Sequence, residues 1–155
     1  MNKHEVYEAI KALVGQVSPP SDWVTVKQER IDQFAEATGD HQWIHVDVER
    51  CKKESPFGAT IAHGYLTLSM AGQVVRDVDP DRKFREHAKM GVNYGVNRVR
   101  FPGPVKVNSR VRGTCKVVDV TEGDNFIQVV KEITLEVEGQ DKPACVAERV
   151  GRIYF

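Results

Sequence analysis

Apolar residues recur along this chain at two different spacings, and the change falls just past its middle. Val6, Ile10, Leu13 and Val14 lie three or four positions apart, which predicts an amphipathic helix over residues 3 to 14, ending at Gly15. SPPSD at 18 to 22 reads as a turn and WVTV at 23 to 26 as a short strand. Ile31, Phe34, Ala35 and Thr38 return to helical spacing, with Gly39 as C-cap. Lys27 and Gln28 stand where a capping side chain is usual, so this helix has no marked start. KESPFGAT at 53 to 60 reads as a loop. From Ala62 to Val75 a long run without proline, AHGYLTLSMAGQVV, carries Leu66, Met70 and Val74 on one stripe and Leu68 and Val75 off it. A helix apolar on most sides is a buried helix.

The second half changes period. GVNYGVNRVRF, SRVRGTCKVVDV, NFIQVVKEITLEV and KPACVAERVGRIYF are four β-rich runs, separated by the turn signals PGP, TEGD and EGQD. Helices and strands are segregated, which points to an α+β fold rather than to a βαβ nucleotide-binding fold. Four long antiparallel strands wrapped round the apolar helix would bury it on most sides.

Composition narrows the class. The chain has 155 residues, one domain's worth (1–155), long enough for a core without disulfides or a structural metal. Lys plus Arg and Asp plus Glu both number 22, a zero net charge that argues against nucleic-acid and membrane-surface partners and opposes self-association little. Cys51, Cys115 and Cys145 are odd in number and far apart. That suits reduced thiols in a cytoplasmic protein, not a disulfide framework or a zinc site. Cys115 and Cys145 fall in strands and are expected buried; Cys51, in a charged stretch, is expected more exposed. The N-terminal stretch lacks the unbroken apolar core of a secretory signal, and nothing approaches the ~20 apolar residues of a membrane span.

Candidate chemistry lies in TGDHQWIH, residues 38 to 45, and in the His63-Gly64 pair that opens the apolar helix. Asp40 follows a helix C-terminus, where the dipole disfavours a carboxylate. Taken singly, Asp40 reads more readily as a turn residue and His45 as a core histidine. Gly64 falls in the first turn of the apolar helix, where backbone N–H groups lack intrahelical partners and can hold a developing oxyanion. Close packing of helix on sheet explains that glycine equally well. Together, an acid, an imidazole and an N–H donor suit proton transfer next to a carbonyl.

Residues 34 to 70, FAEATGDHQWIHVDVERCKKESPFGATIAHGYLTLSM, resemble the hydratase motif of the MaoC-like dehydratases, or R-specific enoyl-CoA hydratases. GDHQWIH, IAHG and the later NYGVNRVRFPGPVKVNSRVRG are similar to the NodN-like branch. The resemblance implies a hot-dog fold, an antiparallel sheet wrapped around a long central helix, in a homodimer. It implies Asp40 and His45 as the catalytic pair and the Gly64 N–H as the oxyanion donor. The reaction implied interconverts trans-2-enoyl and R-3-hydroxyacyl thioesters without metal or resident cofactor, coenzyme A or phosphopantetheine being part of the substrate. Acid and base are not assigned between the pair. Where the usual motif has Asn-Pro, this chain has Gln42-Trp43, on a loop that borders the pocket.

Trp43 reads first as a packing residue, but it and Tyr65 are also candidates to line the acyl chain. Arg98 and Arg100, with Lys106 past the turn, are candidates for phosphates, although they read more readily as a solvated strand face. Two rival functions stay open. A thioesterase would need an acid on the central helix, and residues 65 to 76 have none. A non-catalytic acyl-binding module would need no paired acid and base.

Overall fold

The computed structural model describes all 155 residues. The elements, in chain order, are α1 (Lys3–Lys11), β1 (Val24–Thr25), α2 (Gln28–Thr38), α3 (Trp43–Val46), α4 (Val48–Glu54), α5 (Gly64–Val74), β2 (Met90–Arg100), β3 (Arg110–Glu122), β4 (Phe126–Val137) and β5 (Cys145–Tyr154). Short 3-10 turns over Arg76–Val78 and Arg82–His87 connect α5 to β2. The five strands form one antiparallel sheet in the order β1-β3-β4-β5-β2. It curls around α5 in the hot-dog arrangement, and α5 packs on β3, β4 and β5.

Local chemistry explains most boundaries. Asn2 and Glu5 form a reciprocal capping box that starts α1. Helix α2 starts at Gln28 with no side-chain cap from Lys27, and ends at Gly39 in the left-handed region, φ 76°. On β3, Val111, Gly113, Cys115 and Val117 point inward in strict alternation until a bulge between Val117 and Asp119 breaks the register. Core residues divide just before that bulge, between Cys115 and Val117. Val111 and Cys115 join the main cluster with Ile31, Leu66, Met70 and Ile133. Val117 and Val120 join a smaller cluster under α1, with Val6, Ile10 and Ile127.

Three observations differ from the sequence expectations. His45 lies in the one-turn helix α3, not on a loop. Cys51 is fully buried: α4 turns it inward, and its thiol approaches the Trp43 and Ile44 carbonyls at 3.5 and 3.6 Å. Its charged neighbours occupy the outer face of the same short helix. Helix α5 buries Leu66, Thr67, Met70, Ala71 and Val74 but leaves Tyr65, Ser69 and Gln73 exposed along one stripe. Strand β2 lies beside that stripe and is itself exposed along almost its whole length.

Candidate active site

The candidate site forms where the α2–α3 loop, α3 and the start of α5 meet. Gly39 turns the chain out of α2, and Asp40 follows it at the surface. Its Oδ1 accepts a long hydrogen bond from the Gln42 N–H, 3.4 Å, so the carboxylate also braces the turn. His45 is 6% exposed. Its Nδ1 is 2.7 Å from the Ile61 carbonyl, which only accepts, so Nδ1 carries the proton and Nε2 keeps its lone pair. The Ile44 carbonyl accepts from the Ile61 N–H and the His45 carbonyl from the Gln28 amide, which pins α3 between α2 and the strand-like segment before α5.

His63 completes the cluster. In the sequence the His63-Gly64 pair stands out for its glycine, and nothing there marks the imidazole. The His63 ring is 2% exposed and stacks on His45 with centroids 3.8 Å apart and planes at 24°. Donor atoms of Asp40, His45 and His63 all lie within 4.8 Å of one another. These are metal-ligand residue types, but the geometry fits a metal poorly. A zinc bound at ~2 Å lies along each nitrogen's lone pair, in the ring plane. Two stacked, near-parallel rings offer no common point of that kind. Burial, then the neighbouring His63, lowers the His45 pKa below 6.5; the Ile61 carbonyl and Asp40 oppose this in part. A neutral His45 with a free Nε2 beside a carboxylate is a proton acceptor at neutral pH.

Gly64 is the first residue of α5, and the first intrahelical bond runs from the Thr67 N–H to the His63 carbonyl, 3.1 Å. The Gly64 N–H therefore has no intrahelical acceptor. A Cβ at this position would sit 2.8 to 3.1 Å from the Phe101 ring. Gly64 thus allows close packing of the helix against Phe101, in the loop after β2.

The other candidates are dispersed. Tyr65 is 70% exposed and meets Phe101 edge-on, with centroids 6.2 Å apart. Trp43 is covered by the Arg50 guanidinium, 4.2 Å from its ring centroid. Arg98 and Arg100 are exposed on β2, and Val99 between them packs on the core. Strand alternation points both arginines to the opposite face, away from α5. Lys106 lies nearer, on the loop that pairs with 60 to 62 through the Ala62 N–H to Val105 and Val107 N–H to Thr60 bonds. A cleft of about 770 Å³ runs along the open stripe of α5 toward Arg76, Arg82 and Arg149. It does not include Asp40, His45 or Gly64.

Residues 10 to 139 match the family model described as the MaoC like domain. The chain belongs to the MaoC-like family. Among members of known sequence, it is 46% identical over 153 residues to 3-hydroxyacyl-thioester dehydratase Z of Mycobacterium tuberculosis, covering 98% of both chains. It is 45% identical over 154 residues to nodulation protein N of Rhizobium leguminosarum bv. viciae, covering 98% of this chain and 94% of that one. Among solved structures, a monoamine oxidase regulatory protein from Archaeoglobus fulgius superposes with TM-score 0.73 at 26% identity, covering 91% of this chain and 90% of that one. No helix is long and apolar enough to cross a membrane.

Proposed function

We propose that this protein is a hydratase/dehydratase that interconverts trans-2-enoyl and R-3-hydroxyacyl thioesters, with Asp40 and His45 as the catalytic pair. The observation that carries the residue assignment is the meeting of a carboxylate and a neutral, deprotonated imidazole nitrogen beside the first turn of α5. The two groups hold one water. As its oxygen bonds to C3, a proton leaves for the pair, and a proton is delivered to C2 on the same face. Charge that gathers on the thioester oxygen is met by the Gly64 N–H. In the reverse direction the hydroxyl leaves as water and the C2 proton is withdrawn. Coenzyme A or a carrier protein's phosphopantetheine arrives with the substrate, and the chain's own side chains supply the proton chemistry. Three buried, unpaired thiols suit a reducing, cytoplasmic setting.

The reading includes a homodimer joined through β2. This strand is the open edge of the sheet, and Met90, Val92, Tyr94 and Val96 are all exposed on it. A long apolar edge left free is an aggregation hazard that pairing removes. Val96→Lys should shift sedimentation from twice 17.5 kDa toward the single-chain mass; a parent that sediments as a monomer at micromolar concentration refutes the dimer.

Hydration of crotonyl-CoA, followed as loss of enoyl absorbance, tests the function. Asp40→Asn and His45→Gln should each lower the rate by ~100-fold or more. The double variant should be little worse than the poorer single one, since members of one unit are not additive. A folded Asp40→Asn protein at the parental rate would end this assignment, and thiol release in place of hydration would favour a thioesterase.

A further inference from the structure

We propose that His63 is a positioning residue for the hydration, holding Asp40 and His45 in the arrangement that handles one water. This inference rests on the reading above and names a part of the same site. Three contacts support it. The His63 Nε2 lies 2.9 Å from the Asp40 carbonyl oxygen. A carbonyl only accepts, so Nε2 is the protonated nitrogen and donates. Asp40 follows a left-handed glycine, and its other hydrogen bond is the long one from Gln42. The His63 donor is thus what ties the Asp40 peptide to the start of α5.

The second contact is the stack on His45, 3.8 Å between centroids, with Phe34 of α2 against the same His63 ring at 5.0 Å. One face of the His45 ring is thereby closed to water, while its edge is fixed by the Ile61 carbonyl. The third contact is with the helix itself. His63 is the N-cap of α5, and its carbonyl accepts from both the N–H and the hydroxyl of Thr67, at 3.1 and 3.2 Å. One residue therefore touches the acid's backbone, the imidazole's face and the turn that presents the Gly64 N–H.

His63 Nδ1 also argues for a role beyond packing. It is buried and has no hydrogen-bond partner. Buried acceptors without donors are rare because they are costly. Phenylalanine would fill the space without that orphan, but it would not donate to Asp40.

The test separates donor from ring. His63→Phe keeps the stacked ring and loses the donor. His63→Gln keeps an N–H donor and loses the ring. His63→Phe should lower kcat for crotonyl-CoA hydration by ~100-fold, the scale of a small misplacement of a catalytic group, with KM little changed. His63→Gln should move the acid limb of kcat/KM to higher pH. Water then reaches His45, and the burial that lowers its pKa from 6.5 is relieved. The titratable groups that act on that ring are Asp40 from the α2–α3 loop and His63 itself; the Cys51 thiol of α4 lies against the Trp43 and Ile44 carbonyls. A merely structural role would lower the thermal midpoint and leave both the acid limb and kcat per folded molecule in place; that result overturns the proposal.

Asp40→Asn belongs in the same assay. If it hydrates at the parental rate, the hydratase assignment has failed and this inference with it. If it is inactive while both His63 variants retain the parental kcat and acid limb, only the positioning role is overturned. Nitrogen-15 spectra of the parental protein need no variant. They should show His63 protonated at Nε2 and bare at Nδ1, and the opposite tautomer would overturn the proposal.

Discussion

The two ends of α5 bury polar groups in opposite ways. At its N-terminal end the site holds two stacked imidazoles, with His45 kept neutral by its surroundings and one His63 nitrogen left without a partner. Beyond its C-terminal end, full charges are packed together. Lys131 of β4, 4% exposed, bonds both oxygens of Asp79 at 2.6 and 2.7 Å and also reaches Asp81, which is 1% exposed. Arg85 closes the cluster from the surface side, 2.9 Å from Asp79 and 3.6 Å from Asp81. Burial raises the Asp81 carboxyl above its ordinary range, against the pull of Lys131. Burial also pushes Asp79 up, but the hydrogen bond from Asp81 and the charge of Lys131 outweigh it and hold Asp79 low. Asp81 is thus the carboxyl of the pair that keeps its proton more readily. The charged cluster ties the connection after α5 to β4 through its ion pairs, although Asp81 Oδ2 and Arg85 Nε are buried without a partner. The imidazole cluster leaves lone pairs unused, which is what proton transfer needs. Buried polar groups, and even buried atoms without partners, occur at both ends and are not by themselves a mark of a site; what sets the N-terminal end apart is a neutral imidazole beside an exposed carboxylate.

The comparison predicts opposite outcomes for changes at the two ends. Removing one partner of a buried ion pair leaves the other charge without compensation, typically at ~3–5 kcal/mol. Lys131→Met should lower unfolding stability in urea by that amount, while kcat per folded molecule stays parental. The Asp40→Asn variant should do the reverse, losing turnover while its unfolding midpoint stays near the parental one or rises, because a carboxylate next to a helix C-terminus is relieved. If Lys131→Met lost turnover without losing stability, the division between a structural and a chemical cluster would be wrong.

Much of this was legible in the sequence. The four long strands and α5 came from runs of ten or more residues with one clear period, and their observed bounds lie within a few residues of the expected ones. Helices α3 and α4 were not legible. They have four and seven residues, too short to show a period, and α4 reads as a charged stretch because only Cys51 turns inward. The missing start signal of α2 was a true reading: Lys27 makes no capping bond. Asp40, His45 and Gly64 stood out by motif; the structure brings the Asp40 and His45 side chains together with His63, the residue before Gly64. The His63 ring did not, since no one-dimensional pattern says that two imidazoles 18 positions apart will stack. The charged cluster was equally hidden, because Asp79, Asp81 and Lys131 meet only when β4 passes behind the connection after α5.

Acid should act on the imidazole cluster first. The His45 pKa is lowered in the folded state from 6.5, chiefly by burial. Above pH 6.5 the ring is neutral in both states and contributes its full share to stability. As pH falls below 6.5 the unfolded chain takes up the proton more readily than the native one, so stability declines until the folded pKa is passed. His45→Gln removes that titration. The stability difference between parent and variant should therefore move in the variant's favour as pH is lowered through this window. A difference that stays constant from pH 7.5 to 5 would mean that His45 titrates alike in both states, and that the burial seen here does not hold it neutral.

The smallest effect separates the two glycines of α5. At Gly64 an added methyl meets the Phe101 ring at 2.8 to 3.1 Å, and a packed ring yields only by moving the loop that carries it. At Gly72 it meets a terminal nitrogen of Arg149 at 2.5 Å, the far end of a flexible side chain that lines an open cleft. Alanine is favoured over glycine inside a helix by ~1 kcal/mol. If Arg149 swings along the cleft at little cost, Gly72→Ala should raise the thermal midpoint by ~2–4 °C and leave hydration unchanged. Gly64→Ala should lower both the midpoint and turnover. The informative failure is a Gly72→Ala protein less stable than its parent. Arg149 would then be held over α5 by its charge, Asp79 and Glu86 being the acidic residues that line the same cleft. The charged cluster would extend from the connection after α5 onto the helix face itself.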